Sequence, residues 1–381
     1  MSSNITDAAK EPFGVVNANL EKFAHWYWHI HGYLSLIICI FGIFTNILNV
    51  TVLTRKSMRT AINCILCAIA ISDIVTMSSY IPYAVHFYLI CDLAPSPERY
   101  SYGWTTFLAI HGNVTTTSHC ISIWLAVFMA VMRYVYLQTK RCPSIKVTCA
   151  LICVIPAFVA LIMMPNYLIT DVYEVTVPSL NASIYRLNDY ALGNNNPTTR
   201  ALVAFWLYAI VGKLLPCTLI SIFMGLLLKK LHESAKRQKR LFNASDHAQK
   251  KKKRHKCTTT MLLVIIVMYM LTELPQSFII LMSASYQYFF RNVYFLLADV
   301  LDMAALINNA INFVLYCTMS QQFRDHLYDL SGALLCRTQR AKRKRFANNV
   351  HYDTVNASAN QSHLDHLCVT TATSEKSLSH G

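Results

Sequence analysis

Charge is scarce in this chain. Only 14% of its residues are Asp, Glu, Lys or Arg, where a soluble domain carries about 25%. Set against 54% hydrophobic residues and a mean hydropathy of +0.35, that scarcity excludes an ordinary soluble globule and calls for lipid. Acidic residues are scarcer still, 19 against 34 Lys and Arg. The basic excess does not point to nucleic acid, because no basic stripe is interleaved with exposed aromatics. Also missing are a Gly-rich phosphate loop, a zinc-spaced Cys/His set and a Ser/His/Asp arrangement, so no enzyme is expected. Residues 1–31 have no basic start followed by an apolar core. A cleavable signal peptide is therefore not expected, and the first apolar stretch must act as its own insertion signal.

What is present is a series of apolar stretches of membrane-spanning length, about 20 residues each. Seven are read: Gly32–Leu53, Ala61–Leu89, Thr105–Tyr136, Ile145–Leu168, Ala201–Leu228, Thr258–Ser283 and Asn292–Thr318. The third is polar from Thr115 to Ser122, which suits a helix surrounded by others. The expected fold is an all-α membrane protein, a seven-transmembrane helix bundle with a short amphipathic eighth helix. Its parts are an extracellular N-terminal tail (1–31), the seven-transmembrane domain (32–319), a membrane-surface helix (320–336) and a disordered cytoplasmic tail (337–381).

Orientation follows from the positive residues. The connections holding Arg55, Lys56, Arg59, Lys140, Arg141 and Lys146, together with the twelve Lys and Arg between Lys229 and Lys256, alternate with sparsely charged ones. The N-terminus is thus expected outside and the C-terminus in the cytoplasm of a plasma-membrane protein. The glycosylation sequons at Asn4 and Asn181 then fall outside, and Cys336 falls where palmitoylation would anchor the tail. A transporter would show two related halves, which this sequence lacks.

Polar residues within the spans narrow the class. Asn46 lies in the first, Asp73 in the second within Ile-Ala-Ile-Ser-Asp, and Arg133-Tyr134 closes the third. Pro216 and Pro275 interrupt the fifth and sixth, Asn312-Phe-Val-Leu-Tyr316 ends the seventh, and Phe323 follows. In order and spacing the chain resembles the rhodopsin-like G-protein-coupled receptors from about Tyr33 to Leu335. Thr272-Glu273-Leu274-Pro275 in place of the usual Cys-Trp-x-Pro, with the seventh-span pattern, is similar to invertebrate myosuppressin and FMRFamide peptide receptors. That branch includes the sex-peptide receptor and the nematode W-class serpentine receptors.

The resemblance implies a heterotrimeric G protein as partner, with arrestin and a receptor kinase for shut-off. It also implies activation through Arg133, Tyr134, Pro216, Pro275, Asn312 and Tyr316, and an extracellular neuropeptide as ligand, C-terminally amidated. A chemosensory receptor for a small environmental molecule is the alternative. Relatives usually tie the third span to the second outer loop with a disulfide. Here that position is near Leu108 and 166–200 contains no cysteine, so packing alone must hold the loop. Thr115 stands where receptors for biogenic amines carry an Asp, and the seventh span has no lysine for a light-absorbing Schiff base.

Each acid at mid-bilayer costs about 2.5–3.5 kcal/mol on insertion scales and needs a reason. Around Asp73, the residues Ser122, Asn308 and Asn312 converge. In resembling receptors this cluster holds sodium, and the other reading is a hydrated polar knot; no further cofactor is expected. Glu273 with Gln276, and Asp299 with Asp302, each share a helix face three residues apart. They are expected to line a ligand pocket with His111, Thr115 and His119. An acid there can pair in bidentate fashion with the arginine of an Arg-Phe-amide peptide. For Glu273 an internal partner, Lys213 or His119, is the competing expectation. At the inner end Met132 replaces the usual acid before Arg133, which predicts ligand-free signalling unless packing elsewhere restrains the bundle. Orientation itself is testable: enzymatic deglycosylation should increase gel mobility, and Asn4→Gln with Asn181→Gln should abolish that change.

Overall fold

The computed structural model describes residues 12–139, 144–178, 182–187, 199–240, 264, 267–268, 270–286, 289–330 and 332. The helices are α1 (Pro12–Leu53), α2 (Ala61–Ala84), α3 (Tyr102–Thr139) and α4 (Ile145–Ile169). Next comes α5, running through Thr199–Leu207, a π-helical stretch Tyr208–Leu214, and Leu215–Arg240. After α6 (residues 270–285), α7 begins as π-helical Phe290–Tyr294 and continues as Phe295–Met319. Residues 321–330 form α8. Six helices among the described residues are long and apolar enough to cross a membrane. Most of 258–269, the inner part of the expected sixth span, lies outside the described residues.

Local chemistry sets several helix ends. The Thr60 hydroxyl accepts the Asn63 N–H at 3.2 Å at the start of α2, and the Ser144 hydroxyl accepts the Val147 N–H at 3.4 Å at the start of α4. Such caps satisfy donors that the first helical turn leaves unpaired. Of the spans, α2 and α3 are the most buried and α4 the least, so α3 occupies the interior position its polar middle suggested. Close approach of α1, α2 and α7 depends on Gly42: a Cβ there would fall onto the Met77 side chain and 3.2 Å from Ala310 Cβ.

Two departures from the sequence expectation shape the outer half. First, α1 begins at Pro12, not near Gly32, so much of the segment expected as an extracellular tail is helix. Its 42 residues give about 63 Å of length, twice the hydrocarbon thickness of about 30 Å. Ala24, Tyr27, His31 and Ser35 are buried along one stripe, so tertiary packing rather than hydropathy carries the helix outward. Second, the loop after α4 contains a hairpin, β1 (Val172–Val177) paired antiparallel with β2 (Ala182–Leu187). Backbone bonds do the work of the missing disulfide. Tyr185 N–H donates to the Tyr100 carbonyl at 2.9 Å, and the Thr105 hydroxyl of α3 donates to the Tyr185 carbonyl at 3.3 Å. Cys91 is a free thiol whose pKa burial pushes up.

The π-helical stretch of α5 is explained by Pro216. Proline has no N–H and its ring crowds the carbonyl four residues back, that of Gly212. The helix answers by widening a turn, and the freed carbonyls are taken by α3. Trp124 Nε1–H donates to Val211 O at 3.2 Å, and the Cys120 thiol to Gly212 O at 3.7 Å. Such widened turns concentrate at functional sites.

At the inner end Phe323, fully buried, lies against Tyr316 (ring centroids 5.3 Å) and Phe313 (5.9 Å). Cys336, Asn4, Asn181 and the basic loop after Arg240 lie outside the described residues. Phe323→Ala empties a filled aromatic site, a change that costs about 3–5 kcal/mol in protein cores. It should lower the protein's melting temperature in detergent, and Phe323→Leu should lower it less.

Candidate ligand and transmission site

Polar side chains buried in this apolar bundle gather at three depths. The outermost group is built around His31 on α1. Its Nε2 lies 2.9 Å from the Tyr80 hydroxyl of α2 and 3.9 Å from Asp299 Oδ1 of α7, and its Nδ1 lies 3.4 Å from the Tyr27 hydroxyl. The Tyr88 hydroxyl donates to Asp299, 2.8 Å from each carboxylate oxygen. Tyr83 stacks on the His111 ring at 4.5 Å, and His111 Nδ1 meets the Ser79 hydroxyl at 2.7 Å. Asp302, one turn inward of Asp299, is only half buried. Among the described residues it accepts one hydrogen bond, a long one of 3.5 Å from Tyr80, where Asp299 has several partners.

The middle group joins α3, α5 and α6. Lys213 is fully buried, and its Nζ donates to Glu273 Oε2 at 2.8 Å and to Gln276 Oε1 at 2.9 Å. His119 Nε2 of α3 lies 2.9 Å from the other Glu273 oxygen, near enough to ion-pair but not aligned as a hydrogen bond. One carboxylate oxygen of Glu273 and the amide oxygen of Gln276 accept from Lys213, the internal partner the sequence left as an alternative to a ligand. Thr115 turns its hydroxyl back onto the His111 carbonyl at 2.8 Å and does not reach this group.

The inner group surrounds Asp73, which is fully buried. Ser122 Oγ donates to Oδ1 at 2.9 Å, and Asn312 Nδ2 approaches Oδ2 at 3.5 Å. Asn308 Nδ2 and the Asn309 side-chain amide are buried without hydrogen-bond partners among the described residues. A small cavity beside them is lined by Asn46, Asn49, Asn312 and Tyr316. The groups facing the carboxylate are thus a hydroxyl and an amide nitrogen, both donating to it. Arg133 and Met132 are both buried at the base of α3, and Tyr134 lies edge-on to Phe223 of α5. Sequence reading missed His31 and the Tyr80, Tyr83 and Tyr88 phenols. The run His25–His31, rich in Trp and His, was the available signal.

A bundle of spans carrying three buried polar groups, with arginine closing α3, is a receptor arrangement, and sequence comparison agrees. The chain belongs to the family described as serpentine type 7TM GPCR chemoreceptor Srw, whose family model matches residues 33–333. It is therefore a multi-pass membrane receptor of the G-protein-coupled class and not an enzyme.

Among individual proteins it is similar to G-protein coupled receptor dmsr-1 of Caenorhabditis elegans, at 30% identity over 80% of this chain and 68% of that one. It is 26% identical to the sex peptide receptor of Drosophila melanogaster, over 78% of this chain and 71% of that one. Sex peptide receptor-related protein 2 of Caenorhabditis elegans is 24% identical, over 77% and 70% respectively. The W-class and sex-peptide-receptor resemblance read from the motifs is thereby borne out.

His31→Phe keeps an aromatic ring but removes its bonds to Tyr80, Tyr27 and Asp299. Buried groups left without partners cost about 1–3 kcal/mol. The variant should melt several degrees lower in detergent, whereas a change at exposed His29 should leave the melting temperature unmoved.

Proposed function

We propose that this receptor is activated by an extracellular peptide, C-terminally amidated and carrying arginine beside its terminal aromatic residue, of the FMRFamide or myosuppressin type. The observation that carries this reading is Asp302, a partly buried carboxylate with a single long hydrogen bond among the described residues, set among phenols and imidazoles. A guanidinium meets such a carboxylate through two parallel N–H···O bonds, and the rings of Tyr80, Tyr83 and His111 offer faces for a phenyl group. Kinship with a protein named sex peptide receptor supports a peptide ligand. The family description, chemoreceptor, favours the second reading, a small environmental molecule. An acid with spare hydrogen-bonding capacity suits a basic peptide better than an apolar odorant.

The N-terminus is outside and the C-terminus inside the plasma membrane. Ligand binding shifts the population toward a state in which α6 bends about Pro275 and Arg133 reaches a heterotrimeric G protein. Pro216 and the Asn312–Tyr316 turn adjust with it. Asp73, Ser122 and Asn308 hold a sodium ion in the resting state, and arrestin and a receptor kinase end the signal. Of the pocket acids, Asp302 takes the ligand arginine, and Asp299 orients the pocket through Tyr88 and His31.

The test is G-protein activation in transfected cells by Arg-Phe-amide peptides and their free-acid forms. The amides should activate and the acids should not. Asp302→Asn should lower amide potency at least tenfold at matched surface expression, in keeping with about 1.5–3 kcal/mol for a hydrogen bond to a charged group. Equal potency of wild type and Asp302→Asn contradicts the assignment. Silence of well-expressed wild-type receptor toward every amide favours the chemosensory reading.

A further inference from the structure

We infer that Lys213 clamps the hinge of α6, and that this clamp holds the receptor in its resting arrangement when no ligand is bound. The inference is independent of what the ligand is. Pro275 cannot supply the N–H that the Leu271 carbonyl would otherwise receive, so the helix is weakest between Leu271 and Pro275. Lys213 grips both sides of that break. Its Nζ donates to Glu273, before the proline, and to Gln276, just after it. Bending the helix at Pro275 changes the separation of those two acceptors and pulls at least one from the ammonium.

The clamp is aimed by the helix that carries it. Lys213 lies inside the widened turn Tyr208–Leu214, whose carbonyls are tied to Trp124 and Cys120 of α3. The lysine therefore projects from a backbone fixed to α3, the helix that ends in Arg133. His119, also on α3, closes on the far oxygen of Glu273 at 2.9 Å. Below it, the Cys217 thiol and Ser277 hydroxyl lie 3.1 Å apart, and the Ser277 hydroxyl donates to Glu273 O at 2.7 Å. The His119 and Cys217 contacts join α6 to α3 and α5, and the Ser277 bond steadies the hinge itself.

The pair also has a property that purely apolar packing lacks. An ammonium and a carboxylate this deeply buried are costly apart and favourable together. Their contact is accordingly closed or open, with little between, which is what a two-state restraint requires.

The experiment measures ligand-free G-protein activation per receptor in membranes. Three variants are compared with wild type: Lys213→Met with Glu273→Met, the charge exchange Lys213→Glu with Glu273→Lys, and Gln276→Leu. The neutral double variant should raise ligand-free activation at least threefold. The exchange should return it to within twofold of wild type, and Gln276→Leu should raise it by a smaller factor. A merely structural pair would change the amount of receptor but not activation per receptor. Wild-type activation per receptor in the neutral double variant overturns the inference, as does an exchange variant as active as the neutral one. If the neutral double variant does not accumulate, Gln276→Leu decides: unchanged activation per receptor overturns the clamp.

Discussion

A lysine ammonium buried among apolar helices must have an acid, and the placement of that acid sets much of this receptor. Lys213 finds it in Glu273 on the neighbouring helix, with Gln276 completing the cradle. Breaking a buried pair by removing one partner costs about 3–5 kcal/mol, while replacing both partners by apolar groups is often neutral. The pair is therefore poorly explained as a source of stability. It is better explained as a device that makes one arrangement of α3, α5 and α6 distinct from others. On α7, Asp299 is held by Tyr88 and His31, while Asp302 has one long hydrogen bond, from Tyr80, among the described residues.

The groups above and below relate to this pair through shared helices. The outer one joins α1, α2, α3 and α7, and the inner one joins α2, α3 and α7 through Asp73, Ser122 and Asn312. The α3 helix passes through all three, contributing His111, His119 and Ser122 in succession, and ends at Arg133. Its polar stretch costs little because each of these groups has a partner or a polar neighbour at the same depth. Outside the bundle core, the hairpin β1–β2 is tied to α3 by Thr105 and to the preceding loop by Tyr100, so the outer rim is ordered without a covalent bridge.

Hydropathy made the spans readable, because about 20 apolar residues are what a bilayer demands, and α2, α3 and α4 begin or end within a few residues of the expected bounds. The outer turns of α1 were not readable that way. His25, His29 and His31 lower the hydropathy, and the helix there is stabilised by burial of Ala24 and Tyr27, a tertiary effect that no single window contains. The hairpin did leave a signal, the run Val172-Tyr-Glu-Val-Thr-Val, rich in β-branched residues, which a search for helices passes over. For the site, the acids were legible as costly residues in apolar spans, but their division of labour was not. Whether Glu273 faced a ligand or Lys213 depended on the widened turn before Pro216. A proline marks such a turn as available, but not the face it presents.

The most direct test of the central claim is to determine structures of the ligand-free receptor and of its G-protein-bound complex by cryo-electron microscopy and compare the Lys213–Glu273 and Lys213–Gln276 contacts. The account predicts both contacts closed in the ligand-free receptor, and at least one opened with α6 bent at Pro275 in the complex. Lys213 turned away from α6 in the resting receptor, or both contacts intact in the complex, would contradict it.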